Sequence, residues 1–349
     1  MVITKKLISC ILLSTSIVFV LTGCDLYNLN ENVVIEKKHK KITVLTKNEE
    51  VVTNDLALEK INRYEDIRGT DWLDDKTILI EQKNTNEPKT AMTDDGKFVY
   101  HINLFKFDLS TQTSKVLSGE EIGQIGAIVS PDKKHIFYKQ SVDGNTGTGY
   151  IIDRNGKNKV KVSDVENIFA FSTEGRWVNN QEVIYPTLDQ QMYTANLNGK
   201  ITKIDPNSDI VYTLKKKLGN NKVEWVIPSP NQRKFAVVRK ISQTKRELFI
   251  TGPTGKKTVT LANGIQIFGS SWSPDSKTFA FSVISEDKGE RGIFVADVNT
   301  RKITQLSTDL DEISGPITWN PSGNKLLVSK VIVKNNKNEF VTYVLTLKH

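Results

Sequence analysis

The chain has 349 residues, 38% of them apolar and 25% charged. That balance excludes a disordered chain, a collagen-like repeat and a multi-span membrane protein. The formal charge of +8 rests on 39 Lys and only 9 Arg. Arg is the side chain whose donor fork reads bases and phosphates, so no nucleic-acid partner is expected. Four His and two Cys leave little material for a metal site, and no metal or cofactor is expected.

The first element in chain order is an address. Lys5 and Lys6 precede a largely apolar run from Leu7 to Leu21, which is short for a helix that spans a bilayer core. The run ends in Leu21-Thr22-Gly23-Cys24. This box resembles the lipobox of bacterial lipoproteins. The resemblance implies that residues 1–23 are removed as a signal peptide and that the Cys24 sulfur carries diacylglycerol. Two acyl chains hold a protein on a membrane where one gives marginal binding. The expected location is therefore the outer face of the cytoplasmic membrane. Residues 24–39 are mostly polar and read as a lipidated tether. With Cys10 in the leader and Cys24 lipidated, no thiol remains for a disulfide.

The rest of the chain is a repeat. Trp272-Ser273-Pro274-Asp275 precedes an alternating run, Phe279 to Ile284; a second run begins at Gly292, and Lys302-Ile303-Thr304 follows a turn. The same order recurs after Trp72, Ser130-Pro131-Asp132, Trp177, Ser229-Pro230-Asn231 and Trp319-Asn320-Pro321. Each unit has room for four short strands with one face in a core. Units of four strands every 40–50 residues are the sequence sign of a β-propeller. The units number six, so the expected fold is all-β, a single six-bladed propeller over residues 40–349, taken to be a monomer. The sixth unit stops after three strands, and residues 40–46 (KKITVLT) match the missing fourth. An N-terminal strand is therefore expected to close the ring and remove two unpaired sheet edges. Trp72, Trp177, Trp272 and Trp319 share one repeat position, which predicts packing between blades. Trp225 lies outside that register and is expected in the core.

These Trp-Ser-Pro-Asp and Asn-Pro-Ser-Gly turns, each before an apolar strand, resemble the repeats of TolB-like six-bladed propellers across residues 40–349. The lipobox followed by a lone domain looks most like the YqgU-type lipoproteins of Bacillus relatives. TolB carries an additional N-terminal α/β domain, for which this chain has no room, so its translocation role does not carry over. Prolyl-oligopeptidase relatives need a Gly-x-Ser-x-Gly elbow and a hydrolase domain; the sequence has neither. Oligogalacturonate-type lyases cluster histidines on a metal, whereas only His101 and His135 fall inside the repeats here.

In a propeller, the connections from each fourth strand to the next blade rim one mouth of the central channel. Here they carry Glu120, Glu121, Asp164, Glu166, Asp309, Asp311 and Glu312, with Asp205 and Asp209 between the third and fourth units. Convergent carboxylates would focus a field for a cation or basic peptide; ordinary loop solvation is the plainer reading. Lys215-Lys216-Lys217 dilutes that acidity and reads as a solvated face, with an anionic lipid or wall polymer as the functional option. The expectation is a non-catalytic protein- or ligand-binding propeller at the cell envelope. Its rival is a lipid-anchored hydrolase or lyase acting on wall glycan or peptide through mouth carboxylates.

Overall fold

The computed structural model describes residues 56–348, apart from short segments at 90, 93–95, 121, 142–145, 164–167, 170–174, 188–190, 286–290, 311–312 and 335–336, together with strands at 32–37 and 40–45. The chain folds as a six-bladed β-propeller, each blade an antiparallel sheet whose strands A to D run outward from the channel. Blades 1 to 5 span residues 68–118, 123–161, 176–204, 223–264 and 266–307. Blade 6 takes strands A to C from residues 318–348 and its outer strand from Ala57–Glu65.

An N-terminal strand therefore closes the ring, but it is not the expected segment. Lys40–Leu45 pairs with Asn32–Lys37 in a separate hairpin, which lies beside the outer strand of blade 5. Strand Ala57–Glu65 instead pairs with Lys337–Lys348, from Glu65 opposite Val341 to Ala57 opposite Lys348. Both segments alternate, so the local pattern suits either; the register that closes the blade is set by distant partners.

The turns between strands A and B explain the repeated Ser-Pro-Asp. Ser273 Oγ donates to Asp275 Oδ1 at 2.6 Å and accepts from the Thr278 amide at 2.9 Å. Ser130 with Asp132, and Ser229 with Asn231, repeat the arrangement at 2.7 and 2.8 Å. The chain then passes through positive φ at Lys133, Gln232, Ser276 and Gly323. The side-chain cap holds a conformation that L residues otherwise resist.

The four in-register tryptophans join blades. Trp72 Nε1 donates to Thr318 O (3.0 Å), Trp177 to Ile128 O (3.2 Å), Trp272 to Ile227 O (3.0 Å) and Trp319 to Ser271 O (3.3 Å). Each acceptor lies on strand A of the preceding blade, one residue before that blade's own equivalent position. A buried indole with its N–H satisfied contributes area without a desolvation penalty. Apolar clusters fill the same seams: Trp72, Ile78 and Phe107 meet Leu327 and Val344 between blades 1 and 6, and Trp272 and Phe281 meet Val238 and Leu248 between blades 5 and 4. Each such side chain, fully buried, stabilises the fold by about 1.5–3 kcal/mol.

The junction of blades 3 and 4 is different. Blade 4 has Pro228 where its neighbours carry Trp. A ten-residue helix, α1 (Ile210–Gly219), enters there, capped by Asp209 through the Tyr212 amide at 2.9 Å. Leu218 packs against Val223, Val237 and Phe249 of blade 4, and Leu214 is buried.

Candidate functional site

Because the blades alternate strand direction, all D-to-A connections and B-to-C loops emerge at one end of the ring. The mouth formed there is the one that the predicted carboxylates are expected to rim. Glu120 and Asp309 are among the described residues; Glu121, Asp164, Glu166, Asp311 and Glu312 lie outside them, as does Cys24.

Glu120 sits on the connection from blade 1 to blade 2. Buried asparagines hold that connection: Asn84 Nδ2 donates to Asn103 Oδ1 at 2.8 Å, and Asn103 Nδ2 reaches Glu120 O and Ile122 O at 3.2 and 3.1 Å. The Glu120 carboxylate accepts both contacts of Lys159 Nζ at 2.8 Å, and Gln140 Nε2 also donates to it. Lys159 in turn lies 4.3 Å from the centre of the Tyr150 ring, a cation–π geometry. The buried Tyr138 hydroxyl beside this group has no protein hydrogen-bond partner. Burial first, and then the charge of Glu120, pushes it well above the usual phenol range.

The other described acids at this end are also engaged. Asp309 Oδ1 accepts from Thr308 Oγ1 at 3.2 Å, and Lys330 Nζ reaches the Asp309 carbonyl at 3.3 Å. Asp205 accepts the Asn207 amide at 2.9 Å; that backbone bond, aided by the Asn207 side chain, holds its carboxyl below the usual range. Asp209 caps α1 and pairs with Arg176 of blade 3. The structure thus places Glu120 and Asp309 on separate connections, each with its own local partners.

Sequence reasoning missed several groups at this end of the ring. Arg68 pairs with the buried Glu81 at 2.8 Å and donates to Ser314 O at 3.1 Å, while Glu81 accepts the Gly126 amide at 2.7 Å. This path links blades 6, 1 and 2. Ser270, Ser271, Ser314 and Thr318, on or beside the inner strands of blades 5 and 6, keep buried hydroxyls with no protein partner. Trp225 is not in the core: it is 39% exposed on strand A of blade 4, and its place outside the tryptophan register was the signal. A groove of ≈ 310 Å³ also opens between the outer strand of blade 4 and the facing sheet of blade 5. Among the described residues, no three His, Cys, Asp or Glu side chains gather as a metal-holding set.

The architecture has solved counterparts. TolB from Acinetobacter baumannii superposes with a TM-score of 0.50 at 14% identity, over 78% of this chain and 63% of that one. In fold, the chain is a TolB-like propeller. It spans under two thirds of the length of that TolB. A protein assigned as TolB from Agrobacterium tumefaciens follows at TM-score 0.48 and 11% identity, over 82% of this chain and 90% of its own. An oligogalacturonate lyase in complex with manganese gives 0.47 and 12%, over 91% and 96%. No protein-family model and no curated protein matches the sequence. What the chain shares with the Acinetobacter TolB is the fold; nothing in the comparisons points to the YqgU-type lipoproteins.

Proposed function

We propose that this protein is a non-catalytic binding propeller, held at the outer face of the cytoplasmic membrane by diacylglycerol on Cys24. The observation that supports the reading is the state of the described carboxylates at the mouth. Glu120 is bound by Lys159, Asp209 by Arg176, and Asp205 caps a turn. A carboxylate already neutralised by a cation or a cap shapes a surface; an acid–base pair needs carboxyl groups free to exchange protons. Pinned connections on a rigid ring suit recognition, because their geometry is set before the partner arrives. The chain joins the ring at Ala57, at the end opposite the mouth, so a tether on that side leaves the mouth open. An envelope protein or wall ligand is the partner class this serves.

In-cell photo-crosslinking tests the reading, with a photoreactive residue replacing Glu312, one of the carboxylates expected from the sequence to rim the mouth, and a control replacing Thr304 on the outer strand of blade 5. A single protein adduct from position 312 alone is the expected result. Equal adducts from both positions would refute it. Lipidation is read separately: Cys24→Ser should abolish labelling by a fatty-acid probe.

A further inference from the structure

The charge of this protein is not spread around its ring. Residues 206–264, which supply α1 and blade 4, hold twelve Lys and Arg against three Asp and Glu, a net +9 that exceeds the +8 of the entire chain. Blade 1, three blades away and hence across the ring, is the reverse: residues 66–122 hold seven Lys and Arg against eleven Asp and Glu, a net −4. The ring is an electric dipole with blade 4 at its positive pole.

The local geometry gives that pole a face. The Lys240 amide donates to Lys222 O at 2.7 Å, and the Ile241 amide to Lys245 O at 2.8 Å. Lys222, Lys240 and Lys245 are thereby gathered at one end of blade 4, all exposed. Two large apolar side chains stand among them: Ile241, 50% exposed, and Trp225, whose strand position faces Val238. Lys216 and Lys217 extend the face along α1, which is seated by the buried Leu214. The acids of the region are already used: Glu224 holds Arg246, and Glu247 holds Arg239 and Lys257. Among the described residues, no carboxylate pairs with Lys217, Lys222, Lys240 or Lys245.

We infer that blade 4 and α1 form a docking face for an anionic lipid surface, with Trp225 and Ile241 entering the headgroup layer. Lysine presents a strongly hydrated point charge, which suits diffuse surface charge better than a fitted phosphate pocket. Each lysine near an anionic leaflet adds attraction, and Trp favours the interface because its ring is apolar and its N–H polar. The dipole tilts the ring so that the mouth end of blade 4 meets the lipid and blade 1 lies farther from it. The face is the blade 4 sector of the mouth end, formed by its D-to-A connection and B-to-C loop, and lies across the ring from the blade 1 connection that carries Glu120; its test does not use the reading given for the mouth.

The test mixes the full chain with vesicles of brominated neutral phosphatidylcholine, or of the same lipid carrying anionic phosphatidylglycerol. Bromine quenches indoles that reach the bilayer. The four stitched tryptophans lie within the ring, so Trp225 supplies the signal and Trp225→Phe should remove it. An acyl anchor would hold the protein on both kinds of vesicle, so the difference between them reads orientation. The expected result is quenching on anionic vesicles alone, lost in about 0.5 M NaCl. It should also be lost on replacing Lys217, Lys222, Lys240 and Lys245 by Gln, and kept when Lys76, Lys83, Lys89 and Lys115 of blade 1 are replaced instead. An unchanged melting temperature would show that the four-site variant is folded. Equal quenching on both vesicles, or quenching indifferent to the blade 4 lysines, would overturn the inference. Lysine-dependent retention of soluble polyphosphate without vesicle quenching would also overturn it, in favour of an anionic polymer.

Discussion

The junction that closes the ring and the junction between blades 3 and 4 do the same job by different means. Between blades 6 and 1, the Trp72 indole reaches Thr318 O, and Asp75 accepts from Asn320 Nδ2 at 2.6 Å and the Ser322 amide at 3.0 Å. A buried hydroxyl pair adds to this: Thr342 Oγ1 accepts the Gly69 amide and donates to Ile67 O, both at 2.8 Å, while Ser329 Oγ donates to Gly69 O at 2.8 Å. Between blades 3 and 4, Pro228 removes the indole and α1 replaces it with Leu214, Leu218 and the Asp209–Arg176 pair. The first junction is built from the repeat. The second is an insertion, and it adds Lys215, Lys216 and Lys217 to the positive pole. A seam made from the repeat holds the ring; a seam made from an insertion is where this chain acquires a surface of its own.

The contrast is broken most completely by deletion. Removing residues 57–65 leaves blade 6 without its outer strand, and an insoluble product is expected. Removing residues 32–45, whose strands pair with each other beside blade 5 and complete no blade, should leave a soluble ring with nearly the same melting temperature. Expression and thermal unfolding of the two deletions decide between these segments as the closing strand.

Next in size is Trp72→Ala. The side chain is fully buried, and a buried aromatic replaced by Ala costs about 3–5 kcal/mol. Urea unfolding should show that loss, whereas Trp225→Ala should stay within about 0.5 kcal/mol of the parent, as for other exposed positions. At the inserted junction, Leu214→Ala should cost about 2–4 kcal/mol, since the residue is 1% exposed. Hydrogen exchange should then rise in α1 and blade 4 while the blade 6–1 seam stays protected.

The smallest effect is titration of the closing junction. Burial pushes the Asp75 carboxyl up, but hydrogen bonds from Ser322 and Asn320 and the charge of Lys325 outweigh it and hold it below the usual range. A carboxyl depressed in the folded state stabilises that state above its unfolded value of about 3.9, and the contribution is lost as pH falls through the folded value. The junction is partly exposed, so the contribution is below about 1 kcal/mol. Unfolding midpoints measured between about pH 5 and pH 2 should fall less steeply for Asp75→Asn than for the parent.

What the amino-acid sequence determined by itself was whatever is local and repeated. The Ser-Pro-Asp turns were legible because a hydroxyl, a carboxylate and the next amides within five residues make the whole structure. The tryptophan register was legible because the same residue recurs at the same offset, and the repeat then gave the blade count and the ring. The helix α1 left a signal that a reading for strands passed over: Asp209 as cap, with Ile210, Leu214 and Leu218 at helical spacing. Only the tertiary structure decided which alternating segment closes blade 6, because alternation marks a strand and not its partner. Only it showed Trp225 exposed and Glu120 held by Lys159, 39 residues away. Burial and ion pairing belong to groups that the fold brings together from distant parts of the chain, and no short window of sequence contains them.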